Sequence, residues 1–237
     1  MAHTSPLFAT SPYKALVVGS SGAIGGAFVE AFDADPLCTH VELVSRSSQS
    51  DFDLTNHESI GAQAVVSSAN GPFQIIIDAT GAVAIHGVGP EKALSSLHPD
   101  HLMQTFVINT IGPAMVLRYF SPLLGKGASV YAKLSARVGS ITDNKKGGWY
   151  GYRSAKAALN MVLQTGAIEL QRKNPDLRVV ALQPGTVKSQ LSQPFTHSAM
   201  DLLTPQQSVT GMLDALKVLA PKSGAYFLDY QGVAIPW

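Results

Sequence analysis

The sequence has a single cysteine, Cys38, so it holds no internal disulfide, and it suits a reducing compartment as a half-buried free thiol. Charge is scarce as well: only 14% of residues are charged, and 17 Lys and Arg against 16 Asp and Glu leave a formal net charge of +1. The basic residues are scattered rather than gathered into a stripe, so nothing favours nucleic acid or an anionic membrane as partner. No run of eighteen apolar residues occurs, and the opening MAHTSPLFATSPYK lacks both a basic start and an apolar stretch. Neither a membrane span nor a signal peptide is expected, and the sequence predicts a soluble, cytoplasmic protein. What the chain does have is apolar surface to bury, at 46% hydrophobic residues, which excludes disorder. Its 237 residues fit one α/β domain, and no second boundary is visible.

Short β-branched runs alternate with longer segments of helical period, the pattern of repeated βαβ units and a doubly wound parallel sheet flanked by helices. Strands are expected at 15–18, 41–44, 75–78, 130–134, 178–182 and 226–228, with a further short strand ahead of Asp53. Helices are expected at 23–32, 57–68, 99–124 with a break near Gly112, 150–173 and 205–219. Residues 1–13 read as a flexible N-terminal segment, and 14–237 as a single Rossmann-type domain. In such a sheet the ligand lies in loops at the carboxyl ends of the strands, so the residues after each strand are where chemistry is sought.

After the first strand, Val18-Gly19-Ser20-Ser21-Gly22-Ala23-Ile24-Gly25 opens a helix. Glycines at 19, 22 and 25 permit a tight turn and close approach of backbone to a pyrophosphate, which the free N–H groups of the helix start attract. The second strand ends in Val44-Ser45-Arg46-Ser47, where an enzyme preferring NAD commonly carries an acid for the ribose 2′-hydroxyl. An Arg among hydroxyls suits a 2′-phosphate instead, so NADP(H) is the expected cofactor and NAD(H) the alternative. Asp53-Leu54 and Asp78-Ala79-Thr80-Gly81, at later strand ends, are candidates for the adenosine half.

Tyr152-Arg153-Ser154-Ala155-Lys156 places a phenol and an ammonium four residues apart, hence on one face of a helix. A cation near a tyrosine favours phenolate and makes the phenol a better acid, so the pair is a credible acid/base device. Leu134-Ser135-Ala136-Arg137-Val138-Gly139-Ser140 supplies hydroxyls at another strand end, and Gln183-Pro184-Gly185-Thr186-Val187 a turn at the next.

On these motifs, with Gly147-Gly148-Trp149-Tyr150-Gly151-Tyr152, Lys156-Ala157-Ala158-Leu159-Asn160 and Ile235-Pro236-Trp237, the chain from about Lys14 to Trp237 resembles the short-chain dehydrogenase/reductases and, within them, the C-factor-like group. The resemblance implies hydride transfer between NADP(H) and a small carbonyl or alcohol. It gives Tyr152 the role of general acid and Lys156 that of lowering its pKa and binding the nicotinamide ribose. Ser135 would bind the carbonyl, and Asn109 would support a water-linked proton path. Pro184, Gly185, Thr186 and Val187 would orient the carboxamide; Gly19, Ser21, Gly22, Ile24, Gly25, Arg46, Asp53, Leu54, Ala79, Thr80 and Gly81 complete the expected cofactor contacts. Three departures stand out: Ala23 replaces a usual glycine, Asp78-Ala79-Thr80-Gly81 replaces Asn-Asn-Ala-Gly, and Ala136 replaces the second serine of the serine motif. The last leaves Ser135 and Ser140 as candidates, with Ser135 preferred because it ends the strand. Homodimers or homotetramers are implied as well.

His98-Pro99-Asp100-His101 invites a metal reading, but capping and surface exposure account for it better, and no metal is expected. His86 and Gly87 read equally as site lining or loop. Phe195, Met200, Leu202 and Leu203 read as a short substrate lid near 188–205. A nucleotide-binding signalling or regulatory protein on the same fold is the second function class, since fold alone does not fix function.

Overall fold

The computed structural model describes residues 11–48, 51–188 and 202–237. Among these residues six strands form one sheet: β1 (Tyr13–Val18), β2 (Cys38–Val44), β3 (Ile75–Asp78), β4 (Ser129–Leu134), β5 (Leu177–Gln183) and β6 (Tyr226–Asp229). Their order is β2-β1-β3-β4-β5-β6, and every adjacent pair is parallel. Six α-helices accompany them: α1 (Ala23–Asp33), α2 (His57–Ser68), α3 (Pro99–Phe106), α4 (Gly112–Phe120), α5 (Tyr150–Gln171) and α6 (Pro205–Lys217).

Successive residues of a strand point to opposite faces, and β1 uses both. Leu16 and Val18 pack with Ile60, Val116, Phe120, Leu159 and Leu163 from α2, α4 and α5. Ala15 and Val17 pack with Phe28, Phe32, Val209, Met212 and Leu216 from α1 and α6. Both faces are therefore covered, which explains why the strands read as continuous apolar runs rather than alternating ones. Because β2 and β3 flank β1 on opposite sides, the chain reverses its direction of travel there and opens a crevice at the strands' carboxyl ends.

The expected elements form, with three differences. Ahead of Asp53 there is a turn and no strand among the described residues. The Asp53 carboxylate accepts from the Thr55 N–H and hydroxyl, an Asx turn that competes with extended pairing. Tyr13, expected in the N-terminal segment, is the first residue of β1 and is buried, its hydroxyl donating to Asp35. The break expected near Gly112 is a π-helical turn, Val107–Ile111, linking α3 to α4. The lid expected near 188–205 falls mostly outside the described residues; Leu202 and Leu203 lie within them. Cys38 is half-buried and free. Among the described residues no helix is long and apolar enough to cross a membrane.

Candidate active site

The turn after β1 requires its glycines. Gly19 has φ +84°, and a Cβ there would stand 3.1 Å from the Ala79 carbonyl carbon, while a Cβ on Gly25 would stand 2.1 Å from Gly19 O. Gly22 is the N-cap of α1 and offers no side-chain cap, so the first turn's N–H groups remain open to an anion. Ser21 lies exposed at the tip of this turn, and Ile24 packs against the core from the first turn of the helix. Beside it a cavity of about 380 Å³ is lined by Ser20, Ser21, Ser45, Ser47, Ser48 and Glu30, among others. Ser45 Oγ bridges Ser47 Oγ and Ser48 Oγ at 3.0 and 2.8 Å, which fixes the loop that ends β2. Arg46 is exposed and is not among the lining residues. Asp53 is exposed in its Asx turn, and Leu54 lies so close to α4 that a Cβ on Gly112 would be 2.6 Å from its Cγ. These two residues thus lie beside α4, on the α2 side of the sheet.

At the end of β3, Asp78 is fully buried and pairs with Lys133 of β4, also fully buried, at 2.9 Å. Sequence reasoning missed Lys133; the signal was a lone cation inside the buried run Ser-Val-Tyr-Ala-Lys-Leu. Its Nζ also donates to Thr80 O and Thr80 Oγ1 at 2.6 and 3.0 Å, and Asp78 Oδ1 accepts from Thr80 N–H at 2.9 Å. Ala79 N–H donates to Val18 O at 2.8 Å. The Ala79-Thr80-Gly81 turn is thereby pinned against the glycine turn after β1.

Gly81 is the meeting point of the expected catalytic residues. A Cβ there would stand 3.0 Å from Asn109 Oδ1 and 3.3 Å from Lys156 Nζ. Asn109 is fully buried within the π turn, its amide bonded to Ala82 O, Ala82 N–H and Thr105 O. Lys156 Nζ donates to Leu134 O at 3.3 Å and lies 5.6 Å from the Tyr152 ring centroid, so phenol and ammonium share one face of α5 as the spacing requires. Burial lowers the Lys156 pKa to about 7, helped by the Lys133 charge and opposed by Asp78. Burial raises the Tyr152 phenol above its ordinary value. The expected lowering of Tyr152 is thus outweighed here, because desolvation disfavours both charged forms together.

Ser135, at the end of β4, is buried and donates to Asn160 Oδ1 at 2.7 Å. Ser140 is also buried; its Oγ accepts from the Asp143 N–H at 2.9 Å. Ala136 lies between them, half-exposed. The Pro184-Gly185-Thr186-Val187 turn follows β5 and is held by Leu203: Leu203 N–H donates to Thr186 O, Lys188 N–H to Leu203 O, and Val187 bridges Leu203. Of the two histidines, His98 is exposed as expected and His101 is not. His98 is the N-cap of α3 but makes no side-chain cap, and His101 is largely buried with Nε2 3.9 Å from Glu91 Oε1. Its neighbour Glu91, rather than solvent, decides its place. His86 sits exposed at the tip of the Ile85–Val88 turn. No metal-holding group of three or more His, Cys, Asp or Glu occurs among the described residues.

A six-stranded parallel sheet with a glycine turn after β1, and a Tyr–Lys pair facing the crevice, defines a Rossmann-type enzyme scaffold. Residues 13–199 match the short chain dehydrogenase family model, and the chain belongs to that family of oxidoreductases. It is 34% identical over 187 residues to 1-hydroxy-2-glutathionyl-2-methyl-3-butene dehydrogenase of Rhodococcus sp. (strain AD45), covering 78% of each chain. It is 33% identical over 168 residues to C-signal of Myxococcus xanthus, covering 70% of this chain and 94% of that one. Among solved structures, the NADPH-bound carbonyl reductase from chicken fatty liver shares the fold with a TM-score of 0.80 at 23% identity, over 96% of this chain and all of that one. An NADP-bound short-chain dehydrogenase/reductase from Burkholderia multivorans does so with 0.78 at 22% identity, over 95% of this chain and all of that one.

Proposed function

We propose that the chain is an NADP(H)-dependent oxidoreductase that interconverts small carbonyl compounds and alcohols, with Tyr152 as general acid and base. The observation that carries this reading is the convergence at Gly81 of Asn109 and Lys156, with Tyr152 one turn from Lys156 on α5. The glycine turn fits a pyrophosphate: side chains at 19 and 25 are excluded by backbone, and the first turn of α1 is uncapped. Gly19, Ser21, Gly22, Ile24 and Gly25 would hold the phosphates, and Asp53, Leu54, Ala79, Thr80 and Gly81 the adenosine half. Pro184, Gly185, Thr186 and Val187 would hold the carboxamide. The serine cavity and Arg46 would take a 2′-phosphate, which is the ground for preferring NADP(H) over NAD(H).

When bound, the reduced nicotinamide supplies the hydride for the carbonyl carbon. Tyr152 donates the proton to the carbonyl oxygen and regains one from solvent, so the carbonyl becomes an alcohol. The phenol is protonated at neutral pH, although its burial-raised pKa leaves it a weaker acid until charge is brought to its side. Protonated Lys156 stabilises the phenolate left behind and would bind the nicotinamide ribose. Asn109 holds the Ala82 backbone with both amide atoms and supports the proton path behind Lys156. Ser135 would bind the carbonyl by exchanging its bond to Asn160 for one to substrate, with Ser140 the alternative donor.

The signalling reading is not favoured, since Tyr152, Lys156 and Asn109 are all present and brought together. Exposed Ile111, Met161 and Ile168 on the π turn and α5 support the homodimer or homotetramer reading. The decisive experiment is absorbance at 340 nm with NADPH and a panel of ketones, aldehydes and quinones. A substrate-dependent fall is expected, and none across the panel with either NADPH or NADH would sink the reading.

A further inference from the structure

Helix α5 carries both Tyr152 and Lys156, yet its own sequence does little to fix where it begins. No acidic residue lies in its first turn, and its N-cap residue, Trp149, makes no side-chain cap. The chain enters the helix through Gly147, Gly148 and Trp149, left-handed in succession at φ +63°, +66° and +57°. A bulky residue holds that conformation only where its surroundings over-determine it.

The constraint comes from the loop that follows β3. Glu91 is buried; its backbone carbonyl accepts the Trp149 N–H at 2.6 Å, and its Oε2 accepts the Gly151 N–H at 2.9 Å. A carboxylate 60 positions away thus supplies the acceptor that a helix start ordinarily takes from its own N-cap, and brings negative charge to the positive end of the helix dipole. The fit is tight: a Cβ on Gly151 would stand 2.9 Å from Glu91 Oε1 and 3.0 Å from Leu102 Cδ2 of α3. Oε1 itself is buried with no hydrogen-bond partner among the described residues, and His101 Nε2 of α3 stands 3.9 Å away. Keeping a buried carboxylate half-satisfied is costly, and its retention calls for a reason.

The reason lies one residue further along, at Tyr152. Ala82, near the start of the same loop, is held by the Asn109 amide. The loop is therefore tied at one end to Asn109 and at the other to the turn that bears the phenol, and it fixes Tyr152 relative to the Asn109 and Lys156 groups that meet at Gly81. Resting on the reductase reading above, the geometry points to Glu91 as a positioning residue: acting through the backbone of Gly151, it holds the Tyr152 hydroxyl where the carbonyl oxygen receives its proton. A displacement of about 1 Å in a reacting group costs about 10² in rate, so a clamp one residue from the proton donor bears directly on turnover.

The test compares wild type, Glu91→Leu, Glu91→Gln and Gly151→Ala by steady-state kinetics with NADPH and the carbonyl compound of the 340 nm panel that wild type reduces fastest. Amide hydrogen exchange of the same four proteins is followed peptide by peptide. Glu91→Leu removes the acceptor and should lower kcat about 10²-fold with KM within about twofold, and should raise the solvent isotope effect on kcat as proton donation becomes limiting. Exchange should quicken over 149–156 and stay unchanged in β5. Glu91→Gln keeps an oxygen for the Gly151 N–H and should stay within about threefold of wild type in kcat. Gly151→Ala, which pushes on the carboxylate from the other side, should repeat the leucine result and carries the test should Glu91→Leu not fold. Unchanged kcat in both Glu91→Leu and Gly151→Ala, a glutamine variant as impaired as the leucine one, or faster exchange throughout the chain would overturn the proposal. If wild type reduces nothing on the panel, exchange decides alone: local quickening that glutamine restores leaves the clamp on α5 standing and removes the reductase reading, and no quickening removes the clamp.

Discussion

Lys133 and Asp78 face each other in register across β4 and β3 and form a 2.9 Å ion pair with neither side chain exposed. The pair satisfies three polar groups of Thr80 and thereby holds the turn that leads to Gly81. Removing one partner leaves a buried charge uncompensated, which costs about 3 to 5 kcal/mol, whereas removing both is far milder. Lys133→Met is expected to lower stability by that amount in urea denaturation, and Lys133→Met with Asp78→Asn to recover much of it. A single variant as stable as wild type would show the charge to be relieved elsewhere.

Tyr152→Phe deletes the proposed proton donor and leaves the ring's contacts with Trp149 and Lys156 nearly unchanged. Turnover should fall by about 10² to 10⁴, with NADPH affinity and thermal midpoint retained. Steady-state rates beside a melting curve check it, and retention of most turnover would reassign the acid.

The pH dependence follows from Lys156. With its pKa lowered to about 7, the free enzyme carries the ammonium below that pH and loses it above. Tyr152, raised by burial, stays protonated throughout, so the falling limb belongs to Lys156. The kcat/KM for reduction should hold below pH 7 and fall about tenfold per unit above it, because this parameter reports groups of the free enzyme. A profile flat to pH 9 would mean that Lys156 keeps its proton.

Ser135→Ala and Ser140→Ala, assayed together, separate the two candidate carbonyl donors. Loss of one such donor costs about 10² to 10³ in kcat, and the larger loss is expected at Ser135. A larger loss at Ser140 would move the substrate toward the turn that ends at Asp143.

NADPH should bind more tightly than NADH. Arg46→Asp should shift the preference toward NADH by a factor of about 10 or more, since a charged hydrogen bond is worth roughly 1.5 to 3 kcal/mol. Because Arg46 is exposed and stands outside the serine cavity, an unchanged preference on titration would assign the 2′-phosphate to Ser20, Ser21, Ser47 and Ser48.

The sheet and its parallel sense were legible because strands buried on both faces read as continuous apolar runs, and the starts of α2 and α6 because Asn56 and Thr204 cap them. The glycine turn and the Tyr152–Lys156 face were legible for the same reason, being set by neighbours in sequence. Lys133 paired with Asp78 and Glu91 bound to Gly151 were not, because each joins residues 55 or more positions apart. Among the described residues the short strand expected before Asp53 does not form, because an Asx turn, a contact over two residues, competes with extended pairing. Ser135 was singled out for ending its strand, yet its hydroxyl hydrogen is engaged by Asn160, a partner that strand periodicity gives no means of foreseeing.

The π turn at Val107–Ile111 sets the phase between two helices. An α-helix advances about 100° per residue, and a π turn absorbs roughly one residue more than an α turn does. It lets Asn109 point into the interior while α4, beginning at Gly112, still delivers Val116, Leu117 and Phe120 to the core. Deleting one residue between 107 and 111 would close the bulge into regular α-helix, which keeps those three side chains on the sheet but removes the extra residue that turns Asn109 toward Ala82. The extra residue of the π turn therefore bears on the hold of Asn109 on the Ala82 backbone rather than on the packing of α4.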